Sequence, residues 1–133
     1  MTRVNVIPVE ELSDQHLIAE YRELPRCIKQ EIDISDAPDK YCLGKGHMKW
    51  ARKYLGYTLV RFAEVRAEMW YRKFEARYGA NELSEFVVNE APWKNYFPTN
   101  EDIALNRARI VEKYRMKPNW YRWTNRKKPR WLK

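Results

Sequence analysis

Thr2, the second residue of this 133-residue chain, is the residue whose type and position most directly suggest a chemical reaction. Thr2 follows Met1, and a small second residue usually allows the initiator methionine to be removed, which would expose the α-amine of Thr2. An α-amine has a pKa of about 7.7–8.0, well below that of lysine, so it is partly neutral at physiological pH. A neutral amine can attack a sugar carbon and form a Schiff base. Most N-terminal threonines have no catalytic role, so the position alone does not establish one.

Other catalytic and metal-binding motifs are absent from the sequence. The two histidines, His16 and His47, are too few to favour a His/Cys metal cluster, and there is neither an H-E-x-x-H nor a G-x-S-x-G motif. The glycine-rich stretch at 43–47 (LGKGH) lacks the P-loop spacing. Cys27 and Cys42 are predicted to be free thiols. We therefore predict no metal and no cofactor.

Charge is distributed unevenly along the chain. The net charge is +8, with a net −4 in residues 1–40, a net +12 in residues 41–133, and no acidic residue after Asn119. A one-sided basic excess interleaved with tryptophans is typical of a nucleic-acid-binding surface, although a merely basic small protein is the alternative. The N-terminus lacks the apolar region of a signal peptide, and no apolar run approaches the roughly 20 residues that span a bilayer. We expect a cytosolic protein with no membrane partner.

Apolar periodicity predicts an all-α fold: a single domain over residues 1–133, with three main helices and an irregular, basic and aromatic C-terminal tail. The first helix should begin at Ser13 or Asp14 and reach about Gln30, with a kink where Pro25 removes a backbone donor. Residues 33–46 are predicted to be a loop.

The second predicted helix runs from about His47 to Tyr78 and ends at Gly79. Within it, Glu68 and Arg72 lie four residues apart, which predicts a solvated ion pair on an exposed face. Residues 82–89 are a candidate for a short helix. The third main helix should begin after Thr99, with acidic residues in its first turn, and end before Pro118.

The first 26 residues carry a more specific signal. The segments that resemble the opening of the pyrimidine-dimer DNA glycosylases/AP lyases, of the T-even phage ultraviolet endonuclease type, are Met1–Asn5, Glu11–Leu12, Asp14–Leu17 and Ala19–Arg26. The spacing from Thr2 through Glu23 to Arg26 matches this family without a gap. Weaker similarities follow at Leu43–His47 and within Ala108–Tyr121, which are like the family's Gly-x-Gly-His segment, third helix and Pro-x-Trp-Tyr tail.

This resemblance implies a DNA repair enzyme that excises cyclobutane pyrimidine dimers from double-stranded DNA, and we expect the protein to be a monomer. It implies that the amine of Thr2 attacks C1′ and forms a Schiff base, after which β-elimination cleaves the strand. It implies a catalytic role for Glu23, whose carboxylate would stabilise the cationic sugar and help to move protons.

The resemblance also implies a set of DNA contacts, mainly cations aimed at phosphates and aromatic rings near the damaged bases. The residues are Arg3, Gln15, His16, Arg22, Pro25, Arg26, Arg109, Lys113, Trp120 and Tyr121. A kink at Pro25 would open room for an extruded nucleotide. Each residue also has a plainer interpretation: His16 as an ordinary half-buried histidine, the arginines of the first helix as a solvated face, and Trp120 as a core plug.

The chain departs from the family pattern in the segments that are expected to determine which lesion is recognised. Residues 122–128 replace a tyrosine-rich, glycine-containing end, and Trp50-Ala51 stands where the family has an aromatic pair. Two alternatives therefore stay open: the same chemistry on another modified pyrimidine or an abasic site, and a non-catalytic basic protein that binds DNA or RNA. An N-terminal hydrolase using the Thr2 hydroxyl is disfavoured, because such enzymes are layered α/β proteins and strand patterns are almost lacking here.

Overall fold

The computed structural model describes residues 4–79, 82 and 94–132. These ranges contain no β-strand. Their elements are a 3-10 turn at Val9–Glu11 and the helices α1 (Asp14–Lys29), α2 (His47–Lys53), α3 (Leu55–Tyr71) and α4 (Asn100–Met116). The all-α prediction is confirmed. Thr2, Arg3 and the candidate helix at 82–89, apart from Glu82, lie outside the described residues.

The first and third predicted helices begin and end close to their expected positions. Ser13 caps α1, since its side chain accepts a hydrogen bond from the backbone N–H of His16 at 3.1 Å. Thr99 caps α4 in a capping box with Asp102, whose carboxylate accepts from the Thr99 N–H at 2.9 Å. α1 continues through Pro25 to Lys29, and α4 ends two residues before the proline that was predicted to stop it.

The long second helix predicted from His47 was wrong, because the chain breaks at Tyr54 (φ −100°, ψ 56°) into α2 and α3. A new helix start exposes backbone N–H groups that need partners. A distant segment supplies one, since the N–H of Tyr57 donates to the Lys94 carbonyl at 3.3 Å. Glycine at position 56 allows this segment to approach the helix closely, because a Cβ on Gly56 would lie only 2.8 Å from the Lys94 carbonyl oxygen.

α3 also ends earlier than predicted, well before Gly79. Lys73 takes up a left-handed conformation (φ 70°) that is rare for a residue with a side chain. The N–H of Phe74 donates to the Met69 carbonyl at 2.8 Å, and the N–H of Lys73 to the Trp70 carbonyl at 3.0 Å. These two bonds form a Schellman motif, which closes the helix with a lysine where glycine is usual.

α1 packs against α3 and α2, and the core lies between these three helices. The buried apolar residues of these helices include Leu17, Leu24, Ile28, Trp50, Phe62, Val65 and Met69. The C-terminal tail closes the same core, since Leu132 is buried in it. No helix in the described part of the chain is both long enough and apolar enough to cross a membrane.

Candidate active site and nucleic-acid interface

Residues 4–7, here called the N-terminal arm, are buried, and side chains from the surrounding helices hold their backbone. The N–H of Asn5 donates to Glu20 Oε2 of α1 at 3.3 Å. The N–H of Val6 donates to Asn106 Oδ1 of α4 at 2.7 Å. The backbone of the arm is therefore held by hydrogen bonds to side chains and not by pairing with a β-strand.

Glu20 and Arg61 form a buried ion pair that anchors this arm. The Arg61 guanidinium donates to both carboxylate oxygens, at 2.7 and 3.1 Å, and also to the Ile7 carbonyl at 2.5 Å. The Asn5 side chain donates to Glu20 Oε1 at 2.7 Å. Burial opposes the charge of Arg61, but the attraction and hydrogen bonds of Glu20 exceed it, so the pKa of Arg61 is raised.

Glu23, the predicted catalytic carboxylate, lies three residues after Glu20 on the same side of α1. Its side chain is only 20% exposed, whereas that of Arg26, 3.8 Å away, is 73% exposed. Arg22 is also exposed. α1 therefore presents a recessed carboxylate beside cations that are open to solvent.

A cleft of about 310 Å³ opens on α1 next to these cations, and Arg22 and Pro25 line it. Its other walls are Tyr21, Lys29 and Tyr78, which sequence analysis did not select. The N–H of Tyr78 donates to the Tyr21 hydroxyl at 2.9 Å, and the Lys29 ammonium lies 4.6 Å from the Tyr78 ring centre. Tyr21, Pro25 and Lys29 follow one another at intervals of four residues, and this spacing predicts that they share one face of the helix.

The start of α1 binds the C-terminal tail. The Gln15 side chain donates to the Trp120 carbonyl at 2.9 Å and accepts from the Arg122 N–H at 3.1 Å. The neighbouring N–H of Asp14 donates to the Arg122 carbonyl at 2.7 Å. Gln15, selected as a DNA contact, therefore also fixes the segment that carries the tail aromatics.

Three of the predicted contact residues form one aromatic group at this junction. The rings of His16 and Tyr121 are stacked, with centroids 4.9 Å apart and planes within 4°. Burial lowers the pKa of His16 to about 4, so the imidazole is neutral at physiological pH. Trp120 packs edge-on against Tyr121 and is 56% exposed, so it is not a core plug.

The other two predicted cations, Arg109 and Lys113, lie on α4. The backbone of Lys113 contacts the aromatic group, since its carbonyl accepts from the Tyr121 hydroxyl at 3.4 Å. Arg109 lies one turn earlier and contacts Glu112 at 3.1 Å. Apart from Arg109, the predicted residues that the structure describes fall into two groups, one at the start of α1 and one further along it. The first comprises Gln15, His16, Lys113, Trp120 and Tyr121, and the second comprises Arg22, Glu23, Pro25 and Arg26.

The solvated ion pair predicted for Glu68 and Arg72 was wrong, because these residues are 4% and 0% exposed. Arg72 donates to Glu68 at 2.8 Å and to Asp14 at 2.9 Å. Arg126 of the tail donates to both oxygens of Glu68, and the Thr124 hydroxyl donates to Asp14 at 2.6 Å. α1 and the tail supply the opposite charges and donors that allow this network to be buried.

The remaining tail tryptophans are structural. The indole N–H of Trp123 donates to the Glu11 carbonyl at 3.1 Å, and that of Trp131 to the Glu11 carboxylate at 2.9 Å. The tail is therefore fastened at several points along residues 120–132. Its aromatic residues divide into an exposed ring, Trp120, and rings that hold the tail in place.

Fold and site together define a small helical protein whose first helix carries a recessed carboxylate within a basic and aromatic surface of the kind that meets nucleic acid. A family model described as pyrimidine dimer DNA glycosylase matches residues 1–81. Because this match covers more than half of the chain, the protein belongs to the pyrimidine dimer DNA glycosylase family, and the suspected membership is confirmed. The matched region includes the N-terminal arm and α1 to α3, while α4 and the tail lie beyond it.

Proposed function

We propose that this protein excises cyclobutane pyrimidine dimers from double-stranded DNA and then cleaves the strand as an AP lyase, with Thr2 and Glu23 as its catalytic residues. The observation that carries the proposal is the anchoring of the arm at Asn5 to Glu20, one helical turn before Glu23. The three residues from Asn5 back to Thr2 can span at most roughly 11 Å. From an anchor at Asn5, we therefore expect the Thr2 amine to reach the neighbourhood of the Glu23 carboxylate.

The reaction follows from a neutral amine meeting a sugar carbon. The Thr2 nitrogen bonds to C1′ as the glycosidic bond breaks, and the base leaves with the bonding electrons and gains a proton. The C1′–O4′ bond then opens, which leaves a protonated imine at C1′ and a hydroxyl at C4′. Loss of a C2′ proton expels the 3′ phosphate and cleaves the strand, and water later releases the enzyme. Glu23 stabilises the positive charge at C1′ and accepts protons.

Cations and rings on the same surface would hold the DNA. Arg3, Arg22, Arg26, Arg109 and Lys113 would bind phosphates, and the exposed ring of Trp120 would stack on a base, with Gln15, His16 and Tyr121 supporting it. A nucleotide must leave the stack before an amine can reach C1′. The cleft beside Pro25 has room for an extruded base, since its volume of about 310 Å³ falls within the range of small-molecule sites.

Borohydride trapping of the untagged protein tests this proposal, because reduction turns the imine into a stable cross-link to DNA. We expect adducts on a dimer-containing and on an abasic duplex, none on an undamaged duplex, and none once the N-terminus is acetylated. An adduct on abasic DNA alone would support the Thr2 amine as nucleophile, but it would show that the protein acts on abasic sites or on a different modified base. No adduct on any duplex, with mass spectrometry showing Met1 removed, would leave the alternative of a non-catalytic DNA-binding protein.

Replacing Glu23 by Gln tests its role separately. Glu23→Gln keeps the shape of the side chain but removes its charge, so strand cleavage should be abolished while binding to a dimer-containing duplex persists. Glu101→Gln, an exposed carboxylate of the first turn of α4, is the matched control and should cleave normally. Equal cleavage by the Glu23 variant would contradict a catalytic role for this carboxylate.

A further inference from the structure

Val4, at the outer end of the N-terminal arm, is held by side chains on both of its backbone polar groups. Its N–H donates to His47 Nε2 at 3.0 Å, and its carbonyl accepts from the Tyr41 hydroxyl at 2.9 Å. All three residues are buried. Val4 is only two residues from Thr2. Any movement of the Val4 backbone would therefore also move the N-terminal amine.

The partners of His47 define its protonation. Its Nδ1 lies 2.7 Å from the Cys42 carbonyl oxygen, which can only accept a hydrogen bond, so Nδ1 carries the proton. Nε2 is then left as the acceptor for the N–H of Val4. The imidazole ring stacks on Trp50 at 5.9 Å and packs edge-to-face against Tyr41 at 5.7 Å. These two rings also contact each other at 4.9 Å, and the three-ring cluster fixes the orientation of the imidazole.

The backbone before α2 brings His47 to this place. Gly44 and Gly46 adopt left-handed conformations (φ 71° and 92°), which favour glycine. His47 follows as the first residue of α2, and its N–H donates to the Gly44 carbonyl at 3.1 Å. The glycine spacing of this stretch, which lacks P-loop geometry, thus serves to aim an imidazole at the arm.

Tyr41 is positioned just as firmly. Its own N–H donates to the Tyr96 hydroxyl at 2.9 Å, and Tyr96 in turn donates to Asp102 of α4 at 2.5 Å. Burial raises the pKa of Tyr41, so its hydroxyl stays protonated and remains a donor to Val4. Both residues that hold Val4 are therefore themselves held by hydrogen bonds to other parts of the fold.

We propose that His47 and Tyr41 are positioning residues for the reaction, which hold Val4 so that the N-terminal amine meets C1′ at attacking distance. This inference rests on the proposed nucleophilic role of Thr2. The rest of the arm, from Asn5 onwards, has its own anchors on Glu20 and Asn106. Loss of the Val4 contacts should therefore leave the fold and the DNA-binding surface in place and affect the rate of attack.

The test compares variants that differ in the acceptor offered to Val4. His47→Leu removes the acceptor at similar size, whereas His47→Gln offers an amide oxygen near the position of Nε2. In single-turnover borohydride trapping on an abasic duplex, we expect His47→Leu to be at least about tenfold slower and His47→Gln to stay within about threefold of wild type. Tyr41→Phe should also slow trapping, and all three variants should bind an uncleavable abasic duplex with unchanged Kd.

A matched control separates positioning from general destabilisation. Thr58→Val removes a buried hydroxyl at the α2–α3 junction whose hydrogen bonds go to the Ala51 carbonyl at 2.7 Å and the Tyr54 carbonyl at 3.1 Å, and not to the arm. It should lower the melting temperature without slowing trapping. Amide hydrogen exchange of ¹⁵N-valine-labelled protein gives a direct readout, since His47→Leu should speed exchange at Val4 and leave Val65 in the middle of α3 unchanged.

The outcomes distinguish this inference from the function on which it rests. If the wild-type protein forms no adduct, the proposed function fails and the positioning role falls with it. If the wild type forms an adduct and His47→Leu forms it equally fast, only the positioning role is overturned. A His47→Gln variant as slow as His47→Leu would also overturn it, because an acceptor for Val4 would then be irrelevant.

Discussion

Arg61 and Glu20 join α3 to α1 through two hydrogen bonds, and their side chains are only 3% and 0% exposed. The same carboxylate receives both the backbone N–H and the side-chain amide of Asn5. One buried ion pair therefore connects the main helix–helix contact to the N-terminal arm. Stability of the fold and placement of the arm depend on the same two side chains.

Removing one partner of this pair should be costly. Arg61→Met would leave the Glu20 carboxylate buried without its cation, and we expect a loss of about 3–5 kcal/mol in the free energy of unfolding. Urea denaturation followed by circular dichroism measures this change. Arg109→Met, which breaks an exposed pair with Glu112, is the control and should stay within about 1 kcal/mol. Similar losses in the two variants would show that the buried ion pair contributes no more to the free energy of unfolding than an exposed one.

The half-buried imidazole of His16 should make stability depend on pH. The unfolded chain binds this proton below about 6.5, but the folded protein binds it only below about 4. Since the unfolded state binds more protons between these values, the contribution of His16 to stability should decrease as the pH falls from about 6.5 to about 4 and stay constant above that range. Melting temperatures near neutral pH and in this window should differ less for His16→Gln than for wild type. An identical pH dependence in both proteins would argue against a depressed pKa at His16.

Arg26 should contribute to DNA binding through phosphate neutralisation. For Arg26→Gln we expect weaker binding to any duplex, damaged or not, and a slope of log K against log salt that is less steep by about 1. Lys40→Gln is the control, because Lys40 is an exposed cation outside the set of residues proposed to contact DNA, and its ammonium is paired with Glu101. Fluorescence anisotropy over a series of salt concentrations gives both slopes. An unchanged slope for Arg26→Gln would remove this residue from the DNA interface.

The left-handed lysine that ends α3 should be a site of easy stabilisation. Lys73→Gly relieves the unfavourable φ of 70°, and we expect a gain of about 0.5–1 kcal/mol in the free energy of unfolding. Lys73→Ala removes the charge but keeps the Cβ, so it should bring no such gain. Thermal and urea unfolding of the two variants measure the difference. A gain in the alanine variant as large as in the glycine variant would assign the effect to charge instead.

Features set by local chemistry could be predicted from the sequence. The caps at Ser13 and Thr99 depend on residues within three positions, and both were found. Leu17, Ile18, Tyr21, Leu24 and Ile28 recur at spacings of three and four, which predicts one buried face of α1, and all five lie in the core or pack against it. Glu23 and the α1 cations were selected only through the resemblance, since a glutamate among arginines is otherwise an ordinary surface pattern.

Features set by distant partners could not be predicted in this way. The break at Tyr54 depends on a carbonyl from residue 94, and the burial of Glu68 depends on Arg126, which is 58 positions away. The sequence places Glu68 and Arg72 four residues apart, and such a pair is typical of a solvated helix face. Its burial could not be predicted, because the groups that compensate its charges, Asp14 and Arg126, lie far away in the sequence.

The hydrogen bond between the side chains of Asn106 and Asn5 spans 101 positions of sequence, and its 2.8 Å contact has a consequence for the order of folding. Helical turns form from neighbours, whereas a contact across so long a loop must first overcome the entropy of closing it. During synthesis, Asn5 leaves the ribosome long before α4 exists to receive it. We therefore expect the residues made first to reach their native contacts last, and refolding to show a slow step in which the arm is locked after the helices have formed.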